Sequence, residues 1–190
     1  ERKTRKKGER DDQTTTWKRP LFLMGEWELC FRKKGSRPGE LPETWNLTHS
    51  EEIYKIHRQY IEAGSDIILT NTFGANALKF HDDSCSLEEI IKAAVSHVKK
   101  AEREALLQTG DERKIYTALD VGPTGKLLKP MGDLEFETAY EAFKEVVILG
   151  EQAGADLIHI ETMSDTYELK SSCFSGERKH VSSGICYRNI

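Results

Sequence analysis

Apolar positions along this chain follow two alternating rhythms. Stretches in which they recur every three or four residues give way to short, unbroken apolar runs. Ile53, Ile56, Tyr60 and Ala63 lie at helical spacing, behind a capping box predicted from Thr48 and Glu51 and ahead of a Gly64 stop. Residues 66–70 then read as a strand buried on both faces, the usual state of a parallel sheet. Ser86 and Glu89 predict a second capping box, and Ile90, Ala94, Val98, Ala101 and Ala105 continue a helix to Gly110. Residues 114–119 read as the next strand, ending at Asp120, with a turn over Gly122-Pro123-Thr124-Gly125. A third helix is predicted over about residues 136–152, with Phe136, Tyr140, Phe143 and Val147 inward, then a strand over 156–160. After Lys170 no clean period remains, and no packed element is predicted for residues 171–190.

The units repeat. Ala63-Gly64-Ser65-Asp66-Ile67-Ile68-Leu69-Thr70-Asn71-Thr72 returns loosely as Ala153-Gly154-Ala155-Asp156-Leu157-Ile158-His159-Ile160-Glu161-Thr162. Each copy is a helix end, a Gly stop, an Asp-bearing turn, an apolar strand and a polar strand end. Repetition of this unit predicts an α/β protein, either a β/α barrel or a doubly wound sheet. In both, ligands bind at the carboxyl ends of the strands.

That rule selects the candidate site residues. Asn71, Thr72, Asp120 and Glu161 all lie at or just past predicted strand ends. Carboxylates there can bind an amine or move a proton; the alternative is that they cap helices or bond loop amides. Glu161 follows a fully apolar strand directly, which favours the functional role. His57 and His159 have no partner at ligand spacing, and with His49 they read as structural. Gly122 to Lys126 is no phosphate loop, because Asp120 stands where the motif needs Gly and Leu127 follows the lysine.

Composition narrows the classes. A chain of 190 residues is shorter than the roughly 250 of a full (β/α)₈ barrel. A net charge of −4 with mixed signs argues against nucleic acid, and no apolar run is long enough to span a membrane. The basic residues Arg5, Lys6, Lys7 and Arg10 lie in a polar leader, 1–20, without aromatic interleaving. No signal-peptide pattern opens the chain, and a cytoplasmic location is expected. Cys30, Cys85, Cys173 and Cys186 are scattered, so neither a zinc ribbon nor a disulfide framework is expected.

Several segments together resemble one family. They are Leu41-Pro42-Glu43-Thr44-Trp45-Asn46-Leu47; Ile56-His57-Arg58, then Tyr60-Ile61-Glu62-Ala63-Gly64; and Thr70-Asn71-Thr72-Phe73-Gly74-Ala75-Asn76. Asp120-Val121-Gly122-Pro123-Thr124-Gly125-Lys126-Leu127-Leu128 and Ile160-Glu161-Thr162-Met163-Ser164-Asp165 complete the set. Over about 39–170 the chain resembles the homocysteine-binding domain of the cobalamin-dependent methionine synthases. The resemblance implies the N-terminal part of a (β/α)₈ TIM barrel, incomplete here. It implies homocysteine as substrate, with Glu161 holding its amine, and a zinc ion that turns the substrate thiol into a thiolate nucleophile. Cobalamin and methyltetrahydrofolate would act through cobalamin-binding and folate-binding modules outside this chain.

Two departures from the family pattern shape the expectation. The opening motif D-G-[GA]-M-G-T-M-L is replaced by the residues from Phe22 to Phe31, and the three zinc-binding cysteines of the family belong to a later half of the barrel. Synonymous codons exist with which residues 22–31, read from the third base, give F-D-G-G-M-G-T-M-L. Residues 170–190, read from the second base, can give K-A-A-V-L-A-A-K-E-N-T-S-L-P-V-F-A-I-V-I, a helix and a buried strand. The expected organisation is therefore a leader and disrupted first strand (1–38), a partial homocysteine-binding barrel (39–170) and an aberrant tail (171–190). The chain is expected to be an inactive homocysteine S-methyltransferase fragment with no metal ligands of its own. The alternative is a non-catalytic remnant or small-molecule-binding module.

Overall fold

The structure, a computed structural model, describes residues 21–24, 41–81, 84–110, 112–177 and 185–188, with side chains to residue 173. A 3-10 turn, Pro42–Thr44, leads into a one-turn helix α1 (Trp45–Thr48) and then α2 (Ser50–Glu62). Four strands follow in alternation with three helices: β1 (Ile67–Leu69), α3 (Leu87–Thr109), β2 (Tyr116–Val121), α4 (Phe136–Ala153), β3 (Leu157–Glu161), α5 (Thr166–Glu177) and β4 (Ile185–Arg188).

All three strand pairs are parallel, and the sheet order is β1-β2-β3-β4. Residues 22–24 extend it on the other side of β1, where Leu23 bridges Ile67 in parallel and Met24 N–H donates to Ile67 O at 2.9 Å. Spatial order thus follows chain order throughout. A doubly wound sheet reverses its order at a switch point, whereas a barrel adds each strand beside the last. The repeat is therefore that of a barrel.

Two apolar clusters hold the helices on the sheet. Ile53, Ile56 and Ile61 of α2 pack with Ile68, Val98 and Ala101. Phe143, Val146 and Val147 of α4 pack with Leu119, Val121, Ile158 and Ile160 of β2 and β3. Gly64 and Gly154 close α2 and α4 at φ 101° and 96°, backbone that a Cβ disfavours, and so turn the chain into the following strand.

Of the two predicted capping boxes, one forms. Ser86 Oγ accepts from Glu89 N–H at 3.2 Å, and the Glu89 carboxylate accepts from Ser86 N–H at 2.8 Å. Ser86→Ala is expected to cost about 1 kcal/mol, read as a lower urea midpoint at an unchanged slope. The Thr48–Glu51 box does not form. Helix α1 ends at Thr48, whose hydroxyl donates back to Thr44 O at 3.1 Å, so His49 becomes the N-cap of α2 without a side-chain cap bond. The His49 ring stacks on Trp45 instead, with centroids 4.3 Å apart.

Beyond residue 170 the structure departs from the sequence reading, since α5 runs to Glu177 and β4 pairs with β3. Backbone pairing carries β4, and its register places Ile185 beside Ile158. The leader and most of the expected disrupted first strand, residues 25–31, lie outside the described residues.

Candidate active site

The motif residues meet at the carboxyl ends of β1 to β3. Asp120 is the next-to-last residue of β2, and Glu161 is the last of β3. Asp120 and His159 are register partners, and His159 Nδ1 lies 3.2 Å from Asp120 Oδ1. Both side chains are 1% exposed. Glu161 stands two residues beyond His159, and strand alternation puts both on the same face. One donor atom from each of Asp120, His159 and Glu161 lies within 4.8 Å of the others.

Burial pushes the Asp120 carboxyl above the usual carboxylate range, to about 6. The hydrogen bond from His159 opposes this, the charge of Glu161 adds to it, and Glu43 adds a smaller push. Among the residues whose side chains are described, His159 is the one ion-pair partner of Asp120, and no Lys or Arg pairs with Asp120 or Glu161; in the backbone register Glu161 lies beside Arg188 of β4. Two carboxylates and an imidazole thus meet at this end of the sheet.

Its backbone is clamped from β1. Asp120 N–H donates to Thr70 Oγ1 at 3.1 Å, and Thr72 Oγ1 donates to Asp120 O at 2.8 Å. The two threonine hydroxyls lie 2.7 Å apart, and Thr70 is the donor between them because the Thr72 proton goes to Asp120 O. Asn71 is likewise committed: its side-chain amide donates to Pro42 O at 2.7 Å, and its main-chain carbonyl accepts from Asn46 Nδ2 at 2.8 Å. Thus all four predicted site residues come to one end of the sheet, but Asn71 and Thr72 spend their side chains on scaffold bonds.

Two motif glycines explain their own identity. A Cβ on Gly122 would stand 2.5 Å from the Phe73 ring, and one on Gly74 would stand 2.7 Å from Glu43 Oε1. Gly122 N–H donates to Phe73 O at 3.0 Å, and Gly74 N–H donates to Glu43 Oε1. The Gly-Pro-Thr-Gly turn is anchored further on, where Thr124 N–H and Oγ1 both donate to Glu168 Oε1, at 2.7 and 2.6 Å. The turn is thus a structural latch between β2 and α5.

Thr162, directly after Glu161, is the one positive-φ residue other than glycine among the described residues, at φ 62°. A β-branched residue there costs on the order of 1–3 kcal/mol, and such strain concentrates at functional sites.

The sequence marks neither Glu43 nor Glu168 as a scaffold group, and it marks His159 as structural without its tie to Asp120. His159 finds its partner across the sheet, 39 residues away, which no linear spacing displays. Glu43 and Glu168 were visible only as acidic residues, Glu43 inside a quoted motif.

The model of the homocysteine S-methyltransferase family matches residues 25–187. The chain belongs to this family. The homocysteine S-methyltransferase match reaches past the 39–170 stretch at both ends. Methionine synthase from Mycobacterium leprae (strain TN) is 30% identical over 142 residues, 75% of this chain and 12% of that protein. Methionine synthase from Mycobacterium tuberculosis (strain ATCC 25618 / H37Rv) is 31% identical over 142 residues, with the same coverage. The chain thus spans about an eighth of the length of these relatives.

Among solved structures, the homocysteine methyltransferase MmuM from Escherichia coli aligns in its metallated form with a TM-score of 0.75 at 19% identity. The alignment covers 88% of this chain and 62% of that one. Its oxidized form aligns with a TM-score of 0.74. These likenesses establish the fold, a partial β/α barrel.

The zinc of the family does not fit the residues described. Cys85 and Cys173 are free thiols, and neither belongs to a cluster of potential metal ligands. Cys30 lies outside the described residues, as does the side chain of Cys186. No thiolate step through a cysteine-held zinc is derived for this chain. No described helix is long and apolar enough to cross a membrane.

Proposed function

We propose that this chain is the amino-acid-binding part of a homocysteine S-methyltransferase barrel of the methionine synthase type, and that alone it transfers no methyl group. The reading rests on one observation. Glu161 closes β3 beside the buried Asp120, so that two carboxylates meet at one strand end. The α-ammonium of homocysteine is a cation that both carboxylates can bind. Glu161 and Asp120 accept its hydrogen bonds, while Asn71 and Thr72 fix the rim through their scaffold bonds. Methyl transfer belongs to the intact enzyme, with zinc on the substrate thiol and methylcobalamin, recharged by methyltetrahydrofolate, delivered from other modules.

Titration of the chain with homocysteine tests this. Glu161→Gln exchanges a charged hydrogen bond for a neutral one, and affinity should fall by about tenfold or more. Equal affinity in the two proteins would remove Glu161 from the site.

The two ends carry a separate expectation at the level of the gene. One base change near codon 31 and another near codon 170 should restore D-G-G-M-G-T and a longer apolar helix–strand unit. The nucleotide sequence decides it: alternate frames devoid of both readings would refute the shift.

A further inference from the structure

Asp120 and His159 stand opposite each other on β2 and β3, register partners whose side chains are both 1% exposed. The main chain of Asp120 is tied on both sides, its N–H to Thr70 Oγ1 and its carbonyl to Thr72 Oγ1. Its carboxylate can therefore turn only about its own side-chain bonds. Oδ1 of that carboxylate meets His159 Nδ1 at 3.2 Å. The imidazole bond thus fixes how the Asp120 carboxylate stands relative to Glu161, two residues along β3 from His159.

The bond also bears on charge. An ionised carboxylate only accepts, so beside it the ring carries its proton on Nδ1. A protonated carboxyl donates instead, and the ring then accepts at Nδ1 and carries its proton on Nε2. A hydrogen bond to an ion is roughly twice as strong as one between neutral groups, so the imidazole favours the first arrangement. Burial lifts the Asp120 carboxyl, and the bond from His159 is the strongest pull the other way.

The surroundings of Asp120 leave that task to His159. From β1 it faces the hydroxyls of Thr70 and Thr72, which do not titrate at neutral pH. On β3, Glu161 opposes ionisation, and so does Glu43 of the 3-10 turn, whose Oε1 is held by Gly74 N–H. Arg188 of β4 lies one strand further out, beside Glu161 in the register.

We propose that His159 is a positioning residue of this site: its Nδ1–H bond holds the Asp120 carboxylate ionised and directed, so that Asp120 and Glu161 accept together from the substrate ammonium. The inference rests on the amino-acid-binding role proposed above. His159 itself touches no substrate in this arrangement and acts through Asp120.

Two measurements on the full 190-residue chain test it, the first with no ligand present. Nitrogen-15 NMR of the histidine rings reads which nitrogen carries the proton, and the signal missing from His159→Asn assigns His159. At pH 7.5 the ring should be in the Nδ1–H form, and it should leave that form as pH falls through about 6, where Asp120 takes up a proton. The second measurement is homocysteine affinity between pH 5.5 and 8.5. His159→Leu removes the donor, and affinity at pH 7 should fall by about tenfold. The loss should shrink as pH rises, because alkali ionises Asp120 without the imidazole. His159→Asn offers an amide N–H in place of Nδ1–H and does not titrate, so it should keep the parent profile to within about threefold. Circular dichroism checks each variant; if His159→Leu loses the parent signal, the ring tautomer of the parent and the His159→Asn profile decide. An Nε2–H ring at pH 7.5, a loss in His159→Leu that is equal at every pH, or a His159→Asn profile as low as that of His159→Leu would each overturn the proposal. A parent chain that binds no homocysteine would overturn the reading on which it rests, and the ring tautomer, measured without ligand, tells that failure apart from a failure of His159.

Discussion

Phe143→Ala should lower the unfolding free energy by about 3–5 kcal/mol. Phe143 is fully buried in α4, against Leu119, Val121, Ile158 and Ile160. Removing the ring forfeits its transfer energy and leaves a cavity that the sheet cannot fill without moving β2 and β3. Those two strands carry Asp120 and Glu161, so the site should loosen with the core. A domain has only about 5–15 kcal/mol in total, and the variant is expected to be largely unfolded at 37 °C. Urea unfolding followed by circular dichroism measures the loss. Leu107→Ala, on the exposed face of α3 at 78% exposure, serves as the control and should change stability by less than about 0.5 kcal/mol. A Phe143→Ala midpoint equal to that control would show that α4 does not pack on the sheet as described.

His57→Gln should make the fold more stable as pH falls from 7 to 4, where the wild type changes little. His57 is fully buried in α2. Burial, then the nearby His97, pushes its pKa down to about 3, against a hydrogen bond with the Leu69 backbone. Unfolded, it returns to 6.5. The unfolded state therefore binds more protons between pH 6.5 and 3, so stability rises with pH across that window and is lost as pH falls. By pH 4 the loss from this residue is about 3 kcal/mol. Asp120 acts in the opposite sense. Its raised pKa means the native state holds the extra proton between about pH 4 and 6, so its stabilising contribution is present at pH 4 and lost as pH rises through 6. The wild-type profile should therefore be shallow, because the two offset. In His57→Gln the Asp120 contribution stands alone, and stability should rise from pH 7 to pH 4. Parallel profiles for the two proteins, measured with a chelator present, would contradict the burial of a neutral His57.

Much of the fold was legible because it depends on local pattern. The apolar runs became β1, β2 and β3, within two residues at each boundary, and the helical periods became α2, α3 and α4. Asp120 proved to lie inside its strand and Glu161 to be the last residue of its own, a small shift that keeps both at the sheet's carboxyl end. The failures came where a nearer partner intervened. Thr48 could not cap α2 once α1 had formed, because its hydroxyl was already bound to Thr44 O. The tail beyond Lys170 has no amphipathic signal, so α5 and β4 are not set by local periodicity. β4 exists through its pairing with β3.

The candidate site was half legible, for the same reason. Strand ends point to Asp120 and Glu161, and the family motifs add Asn71 and Thr72. What those residues do depends on register and on loops closing across the sheet. Asp120 meets His159 only because Ala118 is aligned with Leu157. Phe73 presses on Gly122, and Glu43 bonds Gly74, across 49 and 31 residues. Periodicity carries no information about such contacts.

On the proposed reading, the carboxyl end of this sheet holds the amino-acid end of homocysteine through Glu161. A crystal structure of the 190-residue chain with homocysteine, grown in the presence of a chelator, tests it most directly. The ammonium nitrogen is expected at hydrogen-bond distance from Glu161, roughly 2.7–3.2 Å, with Asp120 as its neighbour. Homocysteine seated elsewhere, or seated here with its ammonium turned away from Glu161, would contradict it.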